Sequence, residues 1–164
     1  MSFLIRKAKA EDMGAVLELV RELAVFEEEP DAVEVTVADL VRDGFGDRPC
    51  FHCFVGTQGA TVVGIALVYP RYSTWKGPIL HLEDLIVTER MRGSGLGTAL
   101  LDAVVRYGSD LGVKRISWEV LDWNEPAIAF YEAKGANVMR DWDVVHLDEH
   151  AMANYLETLD NTSS

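Results

Sequence analysis

Three glycines at alternate positions, in Arg92-Gly93-Ser94-Gly95-Leu96-Gly97, constrain this chain more than any other stretch. They follow the apolar run Ile79-Leu80-His81-Leu82-Glu83-Asp84-Leu85-Ile86-Val87 and precede Thr98-Ala99-Leu100-Leu101-Asp102-Ala103-Val104-Val105. That order predicts a strand, a glycine-rich turn and a helix. Residues without side chains let the backbone take positive φ, so the N–H groups of residues 93–98 can converge on an anion at the positive end of the helix. Arg92 adds a charge-assisted donor to the same oxygens. A ligand-free strand-to-helix connection is the alternative that any glycine turn leaves open. Two other phosphate loops do not fit. A Walker loop needs Lys and Ser or Thr after its last glycine, where this chain has Thr98-Ala99, and a dinucleotide fingerprint needs glycine at position 98, which is Thr98.

The length of 164 residues suits one domain, expected over residues 1–156 with a polar disordered tail at 157–164. No apolar run approaches the ~18 to 20 residues of a membrane span, and the first residues lack the order of a signal peptide, so a cytoplasmic protein without membrane association is expected. A net charge of −12 argues against nucleic acid as a partner and suits a small cationic substrate, although excess acid also serves solubility alone. Cys50 and Cys53 would fall on opposite faces of a strand, which disfavours a disulfide, and His52 alone does not complete a metal site. Both cysteines are expected to be small buried apolar residues, and no metal is expected.

Residues 4–7 read as an opening strand, and residues 10–26 as an amphipathic helix with Met13, Val16, Leu17, Val20, Leu23 and Ala24 on one face. Glu27-Glu28-Glu29-Pro30-Asp31 closes that helix as an acidic loop, with charge opposed to the helix dipole. Thr36 caps a helix over 37–42 that ends at Gly44. Residues 50–56 and 61–69 form an antiparallel hairpin around Thr57-Gln58-Gly59-Ala60, and 70–77 form a loop whose aromatics either pack locally or line a substrate mouth. After the glycine turn, a helix runs to about residue 111 with Gly112 at its end, and 115–120 form a fifth strand. Asn124 caps a helix over 127–134 with Pro126 in its first turn, 136–140 and 143–147 form a closing hairpin, and 148–156 a short last helix. The sum is a mixed α/β sheet.

The pattern Arg-Gly-x-Gly-Leu-Gly after an acidic apolar strand resembles the acetyl-CoA pyrophosphate loop of the GNAT superfamily of N-acetyltransferases. Further matches from Ile5 to about Leu147 are similar to the diamine acetyltransferases, which include the spermidine/spermine and thialysine enzymes. The resemblance implies the GNAT fold: a mixed, mostly antiparallel sheet with flanking helices and a splayed central parallel pair, here 79–87 and 115–120. It also implies a homodimer.

Acetyl transfer from a thioester to an amine needs an anchored donor, hydrogen bonds to the acetyl carbonyl as charge develops, a neutral amine and a proton for the departing thiolate. By the resemblance, Arg92, Gly93, Ser94, Gly95, Leu96, Gly97 and Thr98 anchor the pyrophosphate of acetyl-CoA. Leu85, Ile86 and Val87 lie along the pantetheine arm through their main chain, and Asn124, Pro126 and Ala127 touch the same arm. Tyr131 is the expected proton donor to the thiolate, with a buried core tyrosine as the alternative. Glu83 is matched to the substrate amine, taking its proton through water, because a carboxylate of pKa ~4 is a weak base toward an amine of pKa ~10. Glu83 and Asp84 are expected to end their strand on opposite faces. Phe26 and Glu27 help hold the cation, Ser117, Trp118 and Glu119 form a substrate wall, and Trp142 stands near the same pocket. The expected acceptor is a lysine-like amino acid such as thialysine, or a diamine or polyamine. Protein or peptide N-acetylation and non-catalytic acyl-CoA binding are the alternatives.

Overall fold

The computed structural model describes residues 2–162, which form two compact units that divide between Leu121 and Asp122. The first unit is built on a five-stranded sheet in the order β1-β2-β3-β4-β5. Its strands are β1 (Leu4–Lys7), β2 (His52–Gln58), β3 (Thr61–Ser73), β4 (Gly77–Val87) and β5 (Ile116–Ser117). Strands β1 to β4 pair antiparallel, and β4 pairs with β5 in parallel.

Helix α1 (Met13–Phe26) buries Met13, Val16, Leu17, Leu19 and Ala24. It starts where Asp12 accepts the Lys9 N–H at 2.7 Å and a two-pronged contact from Arg6 at 2.7 and 2.9 Å. The Arg6 guanidinium holds the Asp12 carboxyl below the usual carboxylate range. Met13, Val16 and Leu19 pack with Val55, Ile65, Leu67 and Ile86 on one face of the sheet. Helix α2 (Val37–Phe45) opens on a reciprocal cap in which Thr36 accepts from Asp39 N–H and Asp39 accepts from Thr36 N–H. It runs through Gly44, where the sequence predicted an end.

Helix α3 (Leu96–Leu111) covers the opposite face. Gly56 and Gly64 leave room for its side chains. A Cβ on Gly64 would lie 3.0 Å from the Ile86 carbonyl and from methyls of Leu96 and Leu100, and one on Gly56 would lie 2.5 Å from Leu96. Gly112 ends α3 at φ +76°, the left-handed conformation that glycine adopts without strain.

Several predicted boundaries move. Residues 70–73 are not a loop: β3 continues to Ser73 and pairs with β4 as far as Ser73↔Gly77. Pro70 is tolerated because β2 pairs with β3 only up to Val68, so Pro70 has a neighbour on one side and owes no hydrogen bond on the other. The fifth strand is two residues long instead of spanning 115–120, since only Leu80↔Ile116 and His81↔Ser117 pair before the strands part. Cys53 is buried as expected, and burial pushes its thiol up to about 12, but Cys50 is exposed ahead of β2.

The second unit contains α4 (Glu125–Ala133) and α5 (Glu149–Thr162). Among the described residues, 136–148 form no strand, so the predicted closing hairpin is not formed. Helix α5 is longer than predicted and continues to Thr162 through residues read as a tail, while Ser163 and Ser164 lie outside the described residues.

The close approach of α3 generates a test. Gly64→Ala should cost about 1–3 kcal/mol through overpacking against a backbone carbonyl that cannot rotate away, read as a lower urea midpoint with unchanged slope. An unchanged midpoint would mean that α3 sits farther from the sheet.

Candidate active site

The glycine turn lies between two fully buried anchors. Met91 ends a short 3-10 turn, Glu89–Met91, and Leu96 opens α3, and both are 0% exposed. Between them Gly93 and Gly95 take φ of +77° and +90°, where a side chain would be strained, and open space surrounds the position of each missing Cβ. The first intrahelical bond of α3 runs from Ala99 N–H to Gly95 O at 3.0 Å, so the N–H groups of Gly97 and Thr98 have no intrahelical acceptor. Leu96 N–H is partly held by Ser94 Oγ at 3.4 Å. The turn thus has the geometry and the dipole that an anion cradle requires.

Helix α1 braces the cradle. Its Glu22 carboxylate accepts from Glu89 N–H at 3.1 Å and from the Thr88 hydroxyl at 3.2 Å. At its last turn the Phe26 ring lies under the Arg92 guanidinium, 5.5 Å from centroid to Cζ. Phe26 and Arg92, predicted for two different ligands, are therefore brought together. Glu27 follows directly, and burial raises its carboxyl pKa.

Strand β4 carries the largest departure from expectation. Leu82 pairs with Val68 and Asp84 with Leu67, which leaves Glu83 as the extra residue of a β-bulge in the middle of the strand. Alternation therefore breaks. Leu67 and Tyr69 share a face of β3, Asp84 lies opposite Leu67, and His81 lies opposite Tyr69. Glu83 reaches the same face, with Oε2 3.7 Å from His81 Nε2. The two carboxylates neither end the strand nor point to opposite faces.

Burial, together with repulsion from Glu83 and Glu27, raises the Asp84 carboxyl to about 6. Burial also raises the Tyr69 phenol, with Glu83 adding to the effect by charge and hydrogen bond. Glu119, exposed just past β5, acts on Tyr69 and His81 in the same sense. Ser117 and Trp118 are half-buried, and Ser117 Oγ is taken by His81 Nδ1 at 2.8 Å. Leu85 and Val87 are half-buried and Ile86 is buried in the α1-side core.

Within the second unit, Asn124 accepts from Ala127 N–H at 3.4 Å and caps α4, with Pro126 in the first turn. Tyr131 is half-buried on α4, its ring 5.5 Å from that of Phe130, and Trp142 is 65% exposed. Sequence reasoning missed Tyr69, Arg71 and His81. The available signal was a histidine two residues before Glu83 in an otherwise apolar strand.

Asp84 gives a pH test. Its folded pKa lies above the unfolded value, so the native state holds the proton more tightly and stability falls as pH rises from about 4 to about 6, remaining lower above that. Asp84→Asn should therefore raise stability at about pH 7.5 by about 1–3 kcal/mol and change it little near pH 4. An equal gain at both pH values in urea unfolding would trace the effect to packing.

Comparison with known proteins bears on the chemistry. The model of the acetyltransferase (GNAT) family matches residues 4–136. A thialysine N-epsilon-acetyltransferase from Bos taurus is 38% identical over 160 residues, covering 91% of this chain and 94% of its own. The spermidine/spermine N(1)-acetyltransferase-like protein 1 of Homo sapiens is 38% identical over 141 residues, 82% of this chain and 20% of its own length. An integron cassette protein from V. cholerae, 18% identical, covers 96% of this chain and 99% of its own at a TM-score of 0.77, which shows a common fold. Taken with the sheet order and the glycine turn between β4 and α3, these matches make the chain an acetyltransferase of the GNAT family, close to the thialysine and polyamine acetyltransferases.

Proposed function

We propose that the protein moves acetyl from acetyl-CoA to the primary amine of a small cation, with both substrates bound together. The observation that carries this reading is the crowding of Glu83 and Asp84 on one face of β4 with Glu27 at the end of α1, which raises the Asp84 carboxyl to about 6, through burial first and the neighbouring charges second. A bound ammonium would relieve that repulsion. Among cations, a lysine-like amino acid such as thialysine fits better than a polyamine. The support is the similarity to the bovine thialysine N-epsilon-acetyltransferase together with Phe26 and the Ser73-Thr74-Trp75-Lys76-Gly77 segment, which is similar to the thialysine-type enzymes. A cytoplasmic homodimer, with residues 1–156 as one domain, belongs to the same proposal, and the family match over 4–136, which crosses the boundary between the two units, supports the single domain.

The cradle suits a pyrophosphate: its two positive-φ glycines leave open space, and the head of α3 offers unpaired N–H groups. Acetyl-CoA supplies an activated thioester. In this reading Arg92 and the backbone of residues 93–98 hold its phosphates, the main chain of Leu85, Ile86 and Val87 aligns its arm, and Asn124, Pro126 and Ala127 border that arm. Glu83 and Glu27, with Glu119, Ser117, Trp118, Phe26 and Trp142, hold the cation. Glu83 takes the ammonium proton through water, the freed amine attacks the acetyl carbonyl, and the Tyr131 hydroxyl protonates the departing thiolate.

Coenzyme A release measured across a panel of amines tests the substrate class. Lysine-like and diamine acceptors should be turned over fastest, and a neutral or acidic best substrate, or a protein N-terminus, would overturn the reading. Tyr131→Phe should lower kcat about 10²-fold with both substrates still bound. Unchanged turnover per folded molecule would make Tyr131 a packing residue.

Gly97→Ala separates donor binding from folding. The added Cβ meets only Val87 Cγ2, at an ordinary 3.7 Å, and alanine is the better helix former by up to about 1 kcal/mol, so Tm should hold or rise. Acetyl-CoA affinity by calorimetry should nevertheless fall about tenfold, because a methyl then stands where phosphate approaches. Unchanged affinity would remove the cradle from the donor site.

A further inference from the structure

His81 is 5% exposed in a strand whose neighbours Leu80 and Leu82 are 2% exposed each. An imidazole buried among aliphatic side chains is costly unless its nitrogens are partnered. Both nitrogens have polar neighbours. Nδ1 lies 2.8 Å from Ser117 Oγ on β5 and 3.5 Å from Arg71 Nη1 on β3, and Nε2 lies 3.7 Å from Glu83 Oε2. The Tyr69 ring closes one side, with centroids 5.2 Å apart.

These contacts favour one tautomer. A guanidinium only donates, so Nδ1 as the acceptor suits Arg71, and the Ser117 hydroxyl can turn to donate to the same atom. The ring proton then sits on Nε2 and points at the Glu83 carboxylate. The gap of 3.7 Å is slightly too long for a hydrogen bond and too short for a bridging water. The Glu83 side chain is 52% exposed and the His81 side chain 7%, so a small rotation of Glu83 closes the contact while the imidazole stays fixed.

We propose that His81 is a positioning residue: its Nε2–H, aimed by Ser117 and Arg71, holds the Glu83 carboxylate toward the ammonium of the acceptor. This rests on the reading of Glu83 as the amine-binding group. A neutral donor suits the task, since it orients the carboxylate without cancelling the charge that attracts the cation. Burial, the largest influence, lowers the imidazole pKa, and Arg71 lowers it further against the opposing pull of Glu83 and Glu119. The groups that face His81 are therefore Tyr69 and Arg71 of β3, Glu83 of its own strand, Ser117 of β5 and Glu119 beyond it.

The test is steady-state kinetics with the best cationic amine from the panel, together with acetyl-CoA affinity, for His81→Phe, His81→Gln, Glu83→Gln and His81→Phe/Glu83→Gln. His81→Phe keeps an aromatic ring and loses the donor, so KM for the amine should rise about tenfold while kcat and acetyl-CoA affinity change less than about twofold. His81→Gln, which keeps an N–H donor at similar reach, should recover most of the loss. The double variant should be no worse than Glu83→Gln alone, because both changes act through one carboxylate. If His81→Phe does not fold, His81→Met, which is unbranched and also lacks a donor, takes its place in the cycle, with the same direction and non-additivity expected. Additive losses, or a KM unmoved by His81→Phe while Glu83→Gln raises it, would overturn the role of His81 and leave the amine site standing. A KM unmoved by Glu83→Gln would overturn the amine site and this inference with it.

Discussion

The contact between the start of α3 and the sheet is the constraint on which the rest of the first unit depends. Gly56 and Gly64 remove side chains from β2 and β3, and Leu96 and Leu100, both fully buried, fill the space. Each such leucine contributes about 1.5–3 kcal/mol. Because Leu96 is also the first residue of α3, and Met91 is buried just before the turn, residues 92–95 are fixed at both ends by packing, with Ser94 Oγ on Leu96 N–H and Arg92 over the Phe26 ring as further ties. Their backbone is then free to face outward. The anion cradle is a by-product of how closely a helix can approach a sheet.

The bulge at Glu83 performs the second placement. One extra residue in β4 moves two consecutive carboxylates onto the face that already holds Tyr69 and His81, with Glu27 close enough to act on Asp84. This arrangement opposes stability: burial first, and the neighbouring like charges second, push the Asp84 carboxyl up to about 6. Local strain of this kind is expected where a site is built to receive an opposite charge.

The acetyltransferase reading joins these two features. In the proposed reading the cradle holds phosphate and the carboxylates hold an ammonium, and α1 reaches both, through Phe26 under Arg92 and through Glu27, whose charge acts on Asp84. Glu22 adds a third tie between α1 and the approach to the cradle. An acidic helix end that looks unfavourable for the helix alone is thereby explained by what it faces.

By itself the sequence determined the features whose causes are local. The spacing of apolar residues set α1, Thr36 and Asn124 marked their caps, Gly112 ended α3, and the alternate glycines placed the turn, because each depends on residues within a few positions of one another. Tertiary structure decided what depends on partners far along the chain. Pairing with β4 turned the expected 70–77 loop into strand as far as Ser73, and the parting of β4 from β5 cut the fifth strand to two residues. Alternating apolar residues at 136–147 did not suffice for a hairpin, since a strand is stable only against a neighbour. The bulge that brings Glu83 to His81 could not be read from β4 at all, because a register shift is a property of two strands and only one of them carries the carboxylates.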